Sequence, residues 1–148
     1  MSSEGVTTPL ISCFLAWLLP GAGHFYLGRR RRAAVFFAVV LATFLLGLLN
    51  EGRSYIADGQ QPLTYLGTLA NVATGPLEVL SRRATFHKLA YALPADENSR
   101  EAQELLTAMR NKARVVTDEY GTTYLITAGL MNMLLILDAF DIAIGRKA

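Results

Sequence analysis

Cysteine occurs once in the 148 residues, at Cys13, which excludes an internal disulfide and a cysteine-based zinc site. Histidine occurs twice, as His24 and His87, so neither has a second histidine at metal-ligand spacing and no metal site is expected. The sequence contains no glycine-rich phosphate loop, nucleophile elbow or serine–lysine signature, so no catalytic residue and no cofactor is expected. Charge of one sign is also scarce. Lys and Arg number 14 against 12 Asp and Glu, and between Glu51 and Tyr120 eight basic residues meet nine acidic ones. The net charge of +2 therefore sits in two clusters, Arg29, Arg30, Arg31 and Arg32, and Arg146 with Lys147. A spread basic field would indicate nucleic acid; basic clusters beside apolar runs indicate membrane orientation, and no nucleic-acid partner is expected. The first nine residues carry Glu4 but no Lys or Arg, which argues against a cleaved signal peptide and against lipidation at Cys13. No internal repeat and no low-complexity tract is evident.

What the chain does have is long apolar stretches at both ends. Residues 33–49, "AAVFFAVVLATFLLGLL", contain no charge and would make a helix of roughly 25 Å, close to the hydrocarbon thickness once the flanks are added. Ala34, Ala38 and Ala42 recur every four residues on it and form a smooth face for helix packing. Residues 122–144 form a second span, ended by Gly145, Arg146 and Lys147. Asn132 near its middle needs to face another helix, and Ala128 and Ala139 share its side.

The first apolar run, residues 9–27, breaks within "LLPGAGHFYLGRRRRAA". Pro20 removes a backbone donor and Gly21 and Gly23 relax the geometry, so a kink is expected. The run spans if the helix continues past the kink; otherwise it is a half-helix dipping in and out. Gly28 permits a sharp turn, and Phe25 and Tyr26 suit the headgroup region. The four arginines then lie in water or on anionic phospholipid headgroups, each worth on the order of 1 kcal/mol beside a charged leaflet.

The chain is thus expected to be an all-α integral membrane protein with about three transmembrane helices, the first kinked at residues 20–23. Residues 1–50 form a membrane hairpin with an arginine turn at 28–32. Residues 51–121 form a mostly extramembrane insert, and 122–148 the last helix with its basic tail. Within the insert, 62–80 is too polar for a confident crossing and is expected to be interfacial or re-entrant. Arg82, Arg83 and Lys88, with Phe86, Leu89, Tyr91 and Leu93, suggest a short amphipathic helix on the membrane surface. Asn98 and Glu101 match a capping box, opening an amphipathic helix over 98–117 with Ala102, Leu105, Leu106, Met109, Ala113 and Val116 on its apolar side. Keeping both basic clusters cytoplasmic puts the N-terminus outside, the arginine turn inside, the insert outside and the C-terminus inside. A fourth crossing through 62–80 would export Arg146 and Lys147.

Asp138 and Asp141 are three residues apart and share a helix face. A carboxylate deep in lipid costs roughly 2.5–3.5 kcal/mol, so Asp138 needs a partner, for which His24, Tyr26 and the arginine turn qualify. A buried pair locking two helices is preferred to a proton or cation site, because both aspartates lie near the helix end.

The motif Pro20, Gly21, Gly23, Phe25, Tyr26, Leu27, Gly28 followed by arginines resembles the two-transmembrane-helix domain family, whose members carry a glycine-rich stretch, a polar residue, Phe-Tyr-Leu-Gly and a basic loop. It is also similar to small bacterial membrane proteins of unknown function with Pro-Gly-x-Gly before an aromatic-x-Gly. The family's usual His-Arg pair is here Gly23-His24. The resemblance implies a bacterial inner membrane and an aspartate near the end of a following apolar helix, the place of Asp138 or Asp141. It implies no activity. From the residues, an accessory, assembly or scaffold component acting through helix–helix contacts is expected, in a homo-oligomer or larger complex. Ion, proton or small-solute transport through Asp138 and Asp141 is the alternative, and a lipid-directed enzyme the third.

Overall fold

The computed structural model describes residues 4–59, 61–86, 89–94, 96, 98–112 and 117–147. Among them the chain forms α1 (Glu4–Leu18), α2 (Ala22–Tyr26), α3 (Arg30–Leu49), α4 (Leu63–Val72), α5 (Pro76–Phe86), α6 (Arg100–Lys112) and α7 (Asp118–Ala143). Among the described residues two helices are long and apolar enough to cross a membrane: α3, and residues Glu119–Ala143 of α7.

These two pack side by side, running in opposite directions. At one end Gly47 meets Leu125, and Gly52 meets Gly121 so closely that a Cβ on Gly52 would come within 2.2 Å of the Gly121 carbonyl carbon. Further along, Val40, Phe44, Leu125, Ala128 and Leu135 form a buried core, with Phe36 and Met131 packed on it. Missing side chains at the glycines bring the backbones together, and interdigitated apolar side chains hold the rest.

The first apolar run is two helices rather than one kinked helix. Pro20 has no N–H to continue the ladder and disfavours helix in the residue before it, so α1 stops at Leu18. Gly21, at φ 83°, takes the left-handed turn that a side chain would resist. The chain then doubles back, and α2 lies against α1 with Gly23 over the Ser12 carbonyl and Ala16. Cys13 reaches the Ile136 carbonyl, while Trp17, one turn later, reaches Val72, whose neighbour Ala73 is bonded to Asn132. Along α1 the contacts thus move back along α7, so α1 runs antiparallel to it. Both ends of this first hairpin therefore lie at the arginine end of the α3/α7 pair. That corrects the expected through-going first helix with its start at the opposite end.

Residues 62–80 also double back. α4 runs down α7, where the absence of a side chain at Gly129 admits the Ala70 carbonyl. It ends at Val72; Gly75, at φ 69°, turns the chain and Pro76 opens α5. Side chains bond the carbonyls at the end of α4: Trp17 Nε1 donates at 3.0 Å to Val72 O, which also accepts from the Gly75 N–H, and Asn132 Nδ2 donates to Ala73 O at 2.7 Å. α5 returns to the far end, where Ser81 bonds Ser54 and Arg82 bonds the Tyr55 carbonyl. A hairpin thus enters from each end of the long pair, and their tips touch where Trp17 meets Val72 and Gly75.

The expected surface helix through Leu93 is corrected. Helix α5 ends at Phe86, and residues 91–93 are extended, exchanging backbone bonds with Ala57. His87 and Lys88 lie outside the described residues. The cap of α6 is Ser99 rather than Asn98: its hydroxyl accepts from the Ala102 N–H, the N-cap geometry, while Asn98 N–H donates to Asp96. Ala102 and Leu105 bury the apolar face of α6, Leu105 packing with Ile56, Phe86 and Ala90 in a second small core. Ala113 and Val116 lie outside the described residues.

Candidate functional site

At the arginine end, α2 carries the residues that sequence reasoning singled out. Gly21 and Gly23 let this single turn sit flush, Gly21 on the Ala33 carbonyl and Gly23 among Ser12, Ala16 and Ala139. His24 is thereby fully buried, its ring edge-on to Phe36 at 4.9 Å between centroids. Its Nε2 lies 2.9 Å from Asp138 Oδ2, and Lys147 Nζ donates to Asp138 Oδ1 at 2.6 Å. An ionised carboxylate can only accept, so Nε2 carries the proton in this bond. Two segments distant in sequence, α2 and α7 with the tail that follows it, meet at one carboxylate that is a quarter exposed. The Asp138 carboxylate, through its hydrogen bond and charge, holds the Lys147 ammonium above the usual lysine range. Asp141 faces Arg146 at 3.9 Å in a more exposed pair, worth little by itself. Phe25 and Tyr26 point outward.

The arginine turn beside this clasp is electrostatically unfavourable. Arg29 precedes the first residue of α3 without a side-chain cap, and the first turn contains no acidic residue. Cations at a helix N-terminus oppose the helix dipole, by about 0.3–1 kcal/mol each at a surface. Arg30 stacks over Phe25, its guanidinium carbon 5.7 Å from the ring centroid. The two nearby carboxylates, Asp138 and Asp141, are engaged by Lys147 and Arg146.

The remaining residues of interest separate into two sets. Ala128, Asn132 and Ala139 face inward and are fully buried. Ala34, Ala38 and Ala42 lie on the outer side of α3 and are exposed. Ala34 borders the turn of the first hairpin, and among the described residues Ala38 and Ala42 are exposed.

Sequence reasoning missed a second polar cluster, at the far end. Arg82, expected on the membrane surface, is fully buried. Its Nε lies 2.7 Å from Glu78 Oε1, one guanidinium nitrogen donates to the Tyr55 carbonyl at 2.8 Å, another donates to Ala90 O, and the plane stacks on Tyr91 at 4.2 Å. Ser54 and Ser81 share a buried bond alongside, with Asn71 and Thr74 lining the same interior between Phe44 and Leu125. The signal available was the i,i+4 spacing of Glu78 and Arg82 behind an apolar run. Burial of the pair depends on residues 55, 90 and 91, which local pattern does not bring near.

The model of a family of unknown function (DUF6677) matches residues 11–148, and the chain belongs to that family. No curated protein and no solved structure matches it.

Proposed function

We propose that this member of an uncharacterised family is an integral membrane protein that acts through helix–helix contacts, as an accessory, assembly or scaffold component. The observation that carries the proposal is the inversion of its side chains. Ser12, His24, Asn71, Glu78, Arg82 and Asn132 are inside, whereas Leu10, Phe14, Leu46, Leu63 and Leu134 are outside, and Leu49 is 79% exposed. So many exposed large apolar side chains are unfavourable in water and suit lipid. On this reading α3 and α7 cross the bilayer and the two hairpins re-enter it from opposite faces. Non-helical backbone at membrane depth is tolerated only when lodged in protein. Both tips meet that condition, one against the Ala33 carbonyl and the other capped by Trp17 and Asn132.

Positive-inside bias then puts the arginine turn and the C-terminus in the cytoplasm, and the antiparallel course of α1 brings residue 4 to the same side. The likeness of the glycine–aromatic motif to the two-transmembrane-helix family supports a bacterial inner membrane. The exposed Ala34, Ala38 and Ala42 face admits a close helix from a second copy or another membrane protein.

Alkaline carbonate is expected to leave the protein in the membrane pellet; release without detergent would overturn membrane integration. In a Cys13→Ser background, Ala38→Cys is expected to form oxidised adducts in native membranes. A strictly monomeric chain without such adducts would overturn the contact role while leaving membrane integration standing.

One observation favours transport as a second reading: the enclosed His24 is linked through Asp138 to the exposed Lys147. Reconstituted liposomes would then show an ion or proton flux that Asp138→Asn abolishes, and absence of flux would count against it.

A further inference from the structure

We propose that the recess between the turn of the first hairpin and the start of α3 binds one anionic phospholipid, its phosphate on the arginine turn and an acyl chain along the apolar wall. This inference rests on the chain being an integral membrane protein. Two openings meet there. A groove of about 340 Å³ is formed by Gly28 and the four arginines. A second recess, also about 340 Å³, is walled by Leu19, Pro20, Ala22, Phe25, Ala34 and Phe37. Each is at the small end of ligand-sized cavities, about 300–1,000 Å³. Arg30 lines both, so cationic and apolar surfaces are continuous through one side chain. An amphiphile with an anionic head matches that junction.

Three observations fix the sign of the head. Four guanidinium groups follow one another, and the nearby carboxylates are already engaged by Lys147 and Arg146. The helix they begin has no acidic residue in its first turn and no side-chain cap, so positive charge stands at the positive end of a dipole until an anion arrives. Arg30 is held over Phe25, which is exposed and forms part of the apolar wall, so its guanidinium stands at the mouth of the recess.

The tail is fixed by the second recess. The wall is made by the break in the chain itself: Pro20 and Gly21 end α1 early, and the return of the chain through Ala22 leaves a gap against Ala34 and Phe37. Phe37 and Ala34 lie on the outer face of α3, so the gap opens where acyl chains would lie on the membrane reading. A free inorganic anion would use the groove and leave the apolar wall bare. A phospholipid uses both, with bidentate phosphate contacts of the kind arginine forms best.

The test uses the full chain in a mild nonionic detergent, titrated with dioctanoyl phosphatidylglycerol, dioctanoyl phosphatidylcholine and glycerol phosphate. Bound lipid is counted by native mass spectrometry. Phosphatidylglycerol is expected to bind about tenfold more tightly than phosphatidylcholine, and Arg30→Gln to remove about tenfold of that affinity with the preference. Ala34→Phe fills the apolar recess; it is expected to weaken phosphatidylglycerol roughly tenfold while leaving glycerol phosphate unchanged. Ala38→Phe, on the same face but beyond the recess, is expected to change neither. Helical circular dichroism of the variants separates loss of binding from loss of fold. Equal binding of the two lipids, or an unaffected Arg30→Gln, would overturn the proposal; so would glycerol phosphate binding as tightly as the lipid. A protein that stays in the carbonate pellet but shows no head-group preference loses this site alone, whereas a carbonate-soluble protein loses the membrane reading beneath it.

Discussion

The two hairpins are built alike and fastened differently. Each tip pairs proline with a left-handed glycine, Pro20 with Gly21 and Gly75 with Pro76, and each places a buried titratable side chain three residues after that glycine, His24 and Glu78. His24 takes its partner from another element, Asp138 on α7, and the chain of contacts runs on to exposed Lys147. Glu78 takes its partner from its own helix, and both members are shut away, Arg82 fully and Glu78 at 2% exposure. The first hairpin is thus tied to its scaffold by a bond that reaches the surface. The second carries an internally neutral pair and is tied by what Arg82 holds, the Tyr55 and Ala90 carbonyls. One fastening can be opened from outside; the other opens only with the fold.

The largest expected effect follows at the closed fastening. Arg82→Ala leaves Glu78 buried without its counter-charge, and removing one partner of a buried pair costs about 3–5 kcal/mol. Unfolding in detergent, followed by circular dichroism against denaturant, should show a loss of that size. The double change Glu78→Leu with Arg82→Met should recover only the part due to the unpaired charge, since well-packed apolar replacements of buried pairs are close to neutral, while the Tyr55 and Ala90 carbonyls still lose their donor. Full recovery in the double variant would mean that charge pairing, and not the carbonyl bonds of Arg82, fastens the second hairpin.

The open fastening should be weaker. His24→Ala removes a charge-assisted bond and a buried ring beside Phe36, with an expected loss of about 2–3 kcal/mol. Asp138→Asn keeps an acceptor for Nε2 and should cost about 1 kcal/mol. Hydrogen exchange gives the sharper readout: His24→Ala should speed exchange in α1 and α2 while leaving α4 and α5 near wild type. Equal loosening of both hairpins would erase the distinction between them.

This contrast was only half visible in the sequence. The long helices follow from uncharged runs, and the break at Pro20 from the missing N–H, because both are local properties. The direction of α1 was not legible, since an apolar helix with few charges carries no mark of which way it points; the polarity comes from Cys13 and Trp17 reaching residues far away in the chain. Arg82 was misplaced for a related reason. An arginine after an apolar run resembles an interfacial anchor, and only the fold supplies the Tyr55 and Ala90 carbonyls that let it go inside. The Leu89, Tyr91 and Leu93 spacing suits one side of a strand as well as an irregular helix, and the backbone bonds to Ala57 decide it.

Glycines give a finer comparison within the first hairpin. A Cβ at Gly23 would lie 2.4 Å from the Ser12 carbonyl oxygen, whereas one at Gly28 would meet nothing within 4 Å. Gly28 nevertheless has φ 78°, so alanine there is strained by the backbone alone. Gly23→Ala should therefore cost about 1–3 kcal/mol through forced separation of α1 and α2. Gly28→Ala should cost nearer 1 kcal/mol, with the hairpin intact. A larger effect at Gly28 would mean that the arginine turn, rather than the contact at Gly23, sets the hairpin's geometry.

The smallest effect is expected where the open fastening meets solvent. Lys147 is exposed, and its bond to Asp138 raises its proton affinity in the folded state. A group whose folded pKa is raised contributes stability that is complete below its unfolded pKa and fades as pH climbs through the folded one. The difference in melting temperature between wild type and Lys147→Ala should therefore be small, level from neutral to mildly alkaline pH, and closing only beyond lysine's ordinary range. Added salt should shrink it across the whole range, because an exposed pair is screened. A Glu78 variant compared in the same buffers should respond far less to salt, as its partner is enclosed. Should the Lys147 difference instead persist in strong salt, the tail would be held by packing rather than by charge, and the first hairpin would be as closed as the second.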